Sequence, residues 1–367
     1  MTITPDGALY YNMAENLVAG NGLINQVRKE EIVVPPLFAI ILAPFALIFD
    51  NPSSYMVFQY ILYGLNGVFL TIIGARLFNR RSAGMIAGLL YAIHPVLLLN
   101  GPQYLLTETV FISFILTTVY LSIRLFQSEK KTKYFCLLVI LLSFSLLFRP
   151  HLLYVIMLAV VVWALFWKKG QLSWKSAAIF IAPPVLLLVN GLYNQSLHGA
   201  FVPLENYSGQ NMYIANNPET EMDFYASTRI EQFVEPEYFE YDHMPLAEKS
   251  ALLQEKAMNY IIFSPLETVE RMMIKMALFF KGIFWLDWLT LFLSAAGIIL
   301  AFRKGYDKWL LSFLVLYIIG FAALTSLGLL VGGQRYRAPI IPVYLLFAGY
   351  LISELFRKIR FSLKGNG

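Results

Sequence analysis

Five charged residues, far apart along the chain, are of the types that acid–base and phosphate chemistry require. Asp6 in "TPDGALYYN" and Glu108 in "LLTETVF" are carboxylates, while Arg149 in "LLFRPH" and Arg335 and Arg337 in "GGQRYRAPIIP" are guanidiniums. A positioned carboxylate takes a proton from an attacking hydroxyl, and a guanidinium offers paired donors that fit a phosphate. Each position also has a plainer explanation. Asp6 suits a helix N-cap, Glu108 follows Thr107 where an acid in a first turn is favourable, Arg149 suits a snorkelling anchor, and the two later arginines suit phospholipid headgroups. Glu108 falls about one turn inside an apolar run, where a carboxylate is costly unless it meets a hydrated cavity or a partner.

Lesser candidates surround these five. Tyr10 follows Asp6 by about one helical turn, His151 stands beside Arg149, and Tyr336 separates the two arginines. Asn211 lies in "NYSGQNMYIANNPET", a stretch rich in turn formers as well as polar contacts. The four histidines, His94, His151, His198 and His243, show no ligand spacing, and the acids between 198 and 270 show no calcium-loop pattern. No metal site is expected; the one alternative is a divalent cation bridging Asp6 or Glu108 to a phosphate.

The elements that must position these residues are membrane helices. The chain has 367 residues, of which 58% are hydrophobic, 16% aromatic and 14% charged, far from soluble averages. Its net charge of +5 needs no nucleic acid, because the bases sit in short clusters between apolar runs. Cys136 is the single cysteine, so no disulfide forms within one chain. Runs able to span a hydrocarbon core of roughly 17–25 residues fall at 54–78, 82–99, 104–126, 133–149, 150–167, 175–193, 283–302, 308–330 and 337–356, about nine spans. The run 35–49 opens with Pro35-Pro36 and contains Pro44, which predicts an interfacial or re-entrant helix. A helical pattern begins at Pro245 and continues to 281.

Threading the spans alternately sends Arg76, Arg80 and Arg81, then Arg124, Lys130, Lys131 and Lys133, then Lys168, Lys169 and Lys175, then Arg303, Lys304 and Lys308, and finally Arg357, Lys358, Arg360 and Lys364 to one face. By the positive-inside rule that face is cytoplasmic. The opposite, extracytoplasmic face holds residues 1–34, the turns at 94–104 and 148–151, the loop 194–270 and "GGQRYR". That loop carries about 13 acids against about 3 bases between His198 and Glu270, a balance unsuited to an anionic leaflet. The expected division is 1–53, a first external loop with amphipathic or re-entrant helices; 54–193, an N-terminal transmembrane bundle; 194–282, an extracytoplasmic loop subdomain; and 283–367, C-terminal transmembrane helices with a cytoplasmic tail. Threading also places Asp6 outside with no span and no signal-peptide pattern ahead of it. Either a first transmembrane helix precedes these residues in the full gene, or a short tail is exported.

In order along the chain, "PDGALYYNMAENLVAGNGL", "PPLFAIILAPFALIF", "HPVLLLNGPQYLLTETVF", "LLFRPHLLY", "NYSGQNMYIANNPE" and "QRYRAPIIPVYLL" resemble blocks of the GT-C glycosyltransferases that use polyprenyl-phosphate sugars, in the protein mannosyltransferase and aminoarabinose-transferase-like branch. The resemblance implies an all-α polytopic membrane protein with a GT-C-like bundle whose first family helix lies ahead of this sequence. It implies transfer of a sugar from a polyprenyl phosphate to a hydroxyl of a protein, lipid or cell-surface glycan at the outer face. In that scheme Asp6 is the catalytic base, Glu108 orients sugar or acceptor, Arg149, Arg335 and Arg337 bind the donor phosphate, and Tyr10, His151, Tyr336 and Asn211 contact substrate. A base that drives direct attack gives inversion. The alternatives are a transporter or flippase of lipid-linked sugars, for which the chain lacks paired broken helices in matching halves, and an inactive lipid-binding member.

Overall fold

The computed structural model describes residues 3–27, 32–49, 51–149, 152–218, 220, 240–328 and 334–365. Among them are fifteen α-helices and no strand, an all-α polytopic membrane protein as expected. The helices are α1 (Pro5–Val18), α2 (Leu37–Ile48), α3 (Ser53–Leu77), α4 (Arg81–Ile93), α5 (Pro95–Asn100), α6 (Glu108–Gln127), α7 (Lys131–Leu146), α8 (Leu153–Lys168), α9 (Ala182–His198), α10 (Ser208–Ala215), α11 (Leu246–Phe263), α12 (Pro265–Phe280), α13 (Trp285–Arg303), α14 (Lys308–Gly328) and α15 (Ile341–Gly365).

Every one of the nine apolar runs contributes a helix. Six stretches among the described residues are long and apolar enough to cross a membrane unaided: Ser53–Leu77, Glu108–Gln127, Trp174–His198, Trp285–Arg303, Lys308–Gly328 and Ala338–Arg360. The other three fall short. The run 82–99 breaks at His94, where Pro95 removes a backbone donor and holds His94 extended at φ −69° and ψ 118°, leaving 13 residues in α4 and 6 in α5. The runs 133–149 and 150–167 give α7 and α8 of 16 residues each, about 24 Å at 1.5 Å per residue. Similarly, α2 has 12 residues with Pro44 inside, too short to cross. The single helical run expected from Pro245 to 281 is two helices, because Ser264 before Pro265 leaves the helical region at φ −125° and ψ 57°.

The core forms where small residues let helices approach. On α4, a Cβ added to Gly84 would lie 2.0 Å from the Thr71 carbonyl of α3, so only glycine permits this contact. The α15 residues Ile341 and Val343 to Tyr350 are almost wholly enclosed, between α4 and α13. Outward, α3 exposes Val57, Ile61, Leu65, Val68 and Ile72 at helical spacing, an apolar stripe suited to lipid.

α6 defines two ends of the bundle, with Glu108 in its first turn and Arg124 in its last. At the Arg124 end, Lys131 Nζ donates to the Leu125 and Phe126 carbonyls, Lys169 lies 4.9 Å from the Trp309 ring centre, Tyr306 donates to the Phe78 carbonyl at 3.1 Å, and Arg80 and Arg357 both pair with Glu354. Basic clusters from separate turns therefore meet at one end, as threading predicts. Asp6, Arg149 and Arg335 gather with Glu108 at the other.

Candidate active site

Glu108 is the floor of this cluster. α6 begins at Glu108 itself, with Thr107 as N-cap and no side-chain cap bond. The first-turn reading of this acid therefore holds. Its carboxylate is fully buried, and both guanidiniums converge on one oxygen: Arg149 Nη2 donates to Oε1 at 2.7 Å and Arg335 Nε donates to the same atom at 2.6 Å. The other oxygen, Oε2, is buried with no hydrogen-bond partner among the described residues, an expensive condition for a carboxylate.

Arg149 comes from the turn after α7, where its backbone N–H donates to the Ser145 carbonyl at 3.1 Å. Its side chain also donates to Thr107 Oγ1 at 3.3 Å, and the guanidinium carbon lies 5.3 Å from the centre of the Phe111 ring. Arg335 arrives on a 3₁₀ turn, Gln334–Tyr336, ahead of the last span. It bridges inward to Glu108 and outward to Asp6, donating from Nη1 to Asp6 Oδ2 at 2.7 Å. Burial opposes its charge, but Glu108 and Asp6 outweigh burial and hold the guanidinium pKa above its ordinary value.

Asp6 is not the helix cap that its sequence context suggested. Thr4 takes that place, accepting from the Gly7 N–H at 3.0 Å, with Pro5 at the first helical position and Asp6 in the first turn. Next to it, a Cβ on Gly7 would stand 2.5 Å from the Leu105 carbonyl, so the absent side chain lets α1 sit against the start of α6. Side-chain exposure rises from 0% at Glu108 through 11% at Arg149 and 29% at Arg335 to 44% at Asp6. The network runs from a sealed floor to an open rim.

Arg337 goes elsewhere. In a turn of about three residues per revolution, side chains two apart point to different sides. The Arg337 guanidinium is 1% exposed, pairs with the buried Asp287 at the start of α13, and donates to the Lys281 carbonyl at 3.2 Å. His94 approaches the same aspartate at 3.7 Å. The structure therefore separates the two arginines that the sequence grouped as phosphate ligands.

Tyr10 is buried beside the cluster, its phenol pKa raised by burial and then by Asp6. Tyr336 is half-buried and packs on the core. Asn211 lies on α10, its backbone N–H donating to the Tyr207 carbonyl at 3.3 Å. His151 lies outside the described residues. Further along α1, Asn12 and Asn16 fasten a loop: Asn12 Oδ1 accepts from the Gln26 N–H at 2.8 Å and Asn16 Nδ2 donates to the Ile24 carbonyl at 3.2 Å.

Sequence reasoning missed Glu205. Its segment is pinned from two directions: Asn194 and Asn190 of α9 donate to the Val202 and Pro203 carbonyls at 2.6 and 2.7 Å, and Asn206 exchanges two bonds with the backbone of Val33, at 3.0 and 3.3 Å. Held there, Glu205 is half-buried. Burial pushes its carboxyl up to about 7, against the lowering influence of Tyr207 and Arg149. The available signal was one acid in the mostly apolar and aromatic run "FVPLENY".

No set of three His, Cys, Asp or Glu side chains meets as a metal-ligand group among the described residues. What the cluster offers is a carboxylate at a rim, beside guanidiniums able to receive an anion, over a buried acid. It stands at one end of a multi-span helical bundle. Residues 33–190 match the model of the dolichyl-phosphate-mannose-protein mannosyltransferase family, in line with the resemblance of the sequence blocks. Glu108 and Arg149 lie within the match; Asp6, Glu205 and Arg335 lie outside it. No curated protein matches the chain.

Proposed function

We propose that the protein transfers a sugar from a polyprenyl-phosphate donor to a hydroxyl of a protein, lipid or cell-surface glycan, at the extracytoplasmic face of the membrane. Its main support is the convergence of Asp6, Glu108, Arg149 and Arg335, separated by up to 329 positions, in one ion-paired network open at Asp6. The basic clusters at the opposite end favour a cytoplasmic setting there and an outer setting for the network.

The acceptor oxygen attacks the anomeric carbon from the rim while Asp6 takes its proton, and the bond from that carbon to the phosphate oxygen breaks on the opposite side, inverting the centre. The departing lipid phosphate gains a negative charge, which Arg149 and Arg335 stabilise. Arg335 couples the two events. A phosphate that draws it away from Asp6 leaves that carboxylate ready to accept a proton. Glu108 holds both arginines in place, and its unpartnered oxygen suits a hydroxyl of the sugar or an ordered water. Tyr10, Tyr336, His151 and Asn211 are candidates for substrate contact around this core, and membrane lipid surrounds the bundle. A divalent cation on Asp6 or Glu108 would have to displace an arginine already bonded there, so donor charge is assigned to the guanidiniums.

The deciding experiment supplies labelled polyprenyl-phosphate mannose and cell-envelope acceptor to the purified protein in liposomes. Label should move to the acceptor with wild type and fall sharply with Asp6→Asn. Undiminished transfer by Asp6→Asn would remove the base from the mechanism, and movement of the intact lipid across the bilayer without sugar transfer would point to a flippase.

A further inference from the structure

α12 is turned inside out. Its enclosed side carries Thr268, Arg271 and Lys275, the two cations only 9% and 1% exposed, while Leu266, Val269 and Met273 stand bare at helical spacing, Leu266 at 85%. A helix facing water does the reverse. The elbow ahead of it is equally apolar. Ile262 and Phe263 end α11 fully outward, Phe263 at 81%, just where Ser264 and Pro265 turn the chain. Yet α12 is no span, having 16 residues with Glu267, Glu270, Arg271 and Lys275 among them, and it is not one of the six stretches able to cross unaided.

The inward polar face is occupied by protein. Lys275 Nζ donates to the Ala215 carbonyl at 2.9 Å and Arg271 Nη2 to the Thr220 carbonyl at 2.8 Å, so both cations satisfy acceptors where α10 stops. Asn216, in the same segment, donates to the Leu327 carbonyl of α14 at 2.6 Å. The apolar face is therefore the one that meets the surroundings, and the next helix shows what these are. α13 is a candidate span and exposes Trp285, Trp288, Leu289 and Phe292 near its start, the aromatic side chains of a membrane boundary. The turn from α12 into α13 is tight: a Cβ on Gly282 would lie 2.9 Å from the Trp288 ring, and the Lys281 carbonyl accepts from Arg337 Nη1 at 3.2 Å. α12 thus leaves the bundle at headgroup level, at the end where Glu108 lies.

We infer that α12 and the elbow before it are a half-inserted membrane anchor, with Ile262, Phe263, Leu266, Val269 and Met273 seated among the acyl chains of the leaflet at the Glu108 end. Lipid suits this face better than a second copy of the chain. An isologous contact through the stripe would crowd the exposed Glu267 and Glu270 of one copy against those of the other. With both cations turned inward, headgroup charge adds no attraction, so a zwitterionic leaflet is enough. Because Arg271 and Lys275 hold the end of α10, the depth of α12 sets the height of α10 over the membrane. The inference rests on the membrane bundle and is independent of sugar transfer.

The test is depth-dependent fluorescence quenching of the full chain in phosphatidylcholine liposomes. On a Cys136→Ala background, Leu266→Cys and Met273→Cys each carry an environment-sensitive dye; the aqueous reference is Glu248→Cys, exposed near the start of α11 and about 21 Å along that helix from Ile262. Dyes at 266 and 273 should emit to the blue of the reference, lose most of their intensity to a nitroxide on the upper acyl chain, and resist iodide. The depth they report should be about 5–10 Å into the headgroup and acyl boundary. Exchanging part of the lipid for phosphatidylglycerol should leave that depth unchanged. Iodide quenching equal to that of the reference puts the stripe in water and overturns the inference. Shielding from both quenchers, with a disulfide between two copies of Leu266→Cys, puts it in a dimer and overturns it as well. Deeper dyes in phosphatidylglycerol would mean that headgroup charge holds the helix, which is equally incompatible with it.

Discussion

Arg335 and Arg337 stand two residues apart and each meets a carboxylate, yet their settings are opposite. Arg337 and Asp287 are 1% and 0% exposed, a pair closed off from water at the start of α13. Arg335 is 29% exposed and divides itself between a buried acid and one at the rim. A sealed pair has no route to exchange partners, so its role is to fix α13 and the last span. A bridging arginine with one partner near solvent can release that partner to a ligand. Residue type does not distinguish the two; the burial gradient does.

Substitution should separate them cleanly. The largest effects are expected at the open centre: Asp6→Asn should lower sugar transfer by about 10²–10⁴-fold and Arg335→Ala by about 10²–10³-fold, with unfolding in detergent changed little for Asp6→Asn. At the closed centre the loss should appear in stability. Arg337→Ala leaves a buried carboxylate unpaired and should cost about 3–5 kcal/mol in denaturant unfolding, while replacing Arg337 with Met and Asp287 with Leu together should recover most of it. Finding that Arg337→Ala unfolds normally but loses donor binding would erase the contrast.

The origin of each centre also explains what could be read in advance. Asp6, Glu108, Arg149 and Arg335 were legible because apolar runs flank them and sidedness places all four at one end; the structure then supplies the bonds among them. Arg337 shares every local signal with Arg335, and only the 3₁₀ geometry around Gln334–Tyr336 and Ala338–Ile340 sends it inward. Glu205 carried only a faint signal because the placement of its segment depends on bonds from residues 190, 194 and 33, none adjacent in sequence. The apolar runs set the helices. Helix ends were less legible where proline acts, at His94-Pro95 and Ser264-Pro265.

Two smaller measurements sharpen the comparison. A double-mutant cycle between Asp6 and Arg335 should give a coupling of only about 0.2–1 kcal/mol in stability, since the pair is partly solvated, against a clearly larger value between Asp287 and Arg337. The Glu205 carboxyl sits above its ordinary value in the folded protein, so the unfolded chain binds fewer protons between pH 4.5 and about 7. Its contribution to stability is therefore fully present below 4.5 and is lost as pH rises through 7. Melting temperature followed from pH 5 to 8 should fall less steeply for Glu205→Gln than for wild type.

The bare α-carbon at position 7 ties these distances together. One methyl group there would collide with the Leu105 carbonyl and act as a shim, prising the first helix off its seat and dragging the neighbouring aspartate from its arginine. The reach of the proposed proton acceptor is thus regulated by an atom the chain omits, and Gly7→Ala should weaken turnover without touching any charge.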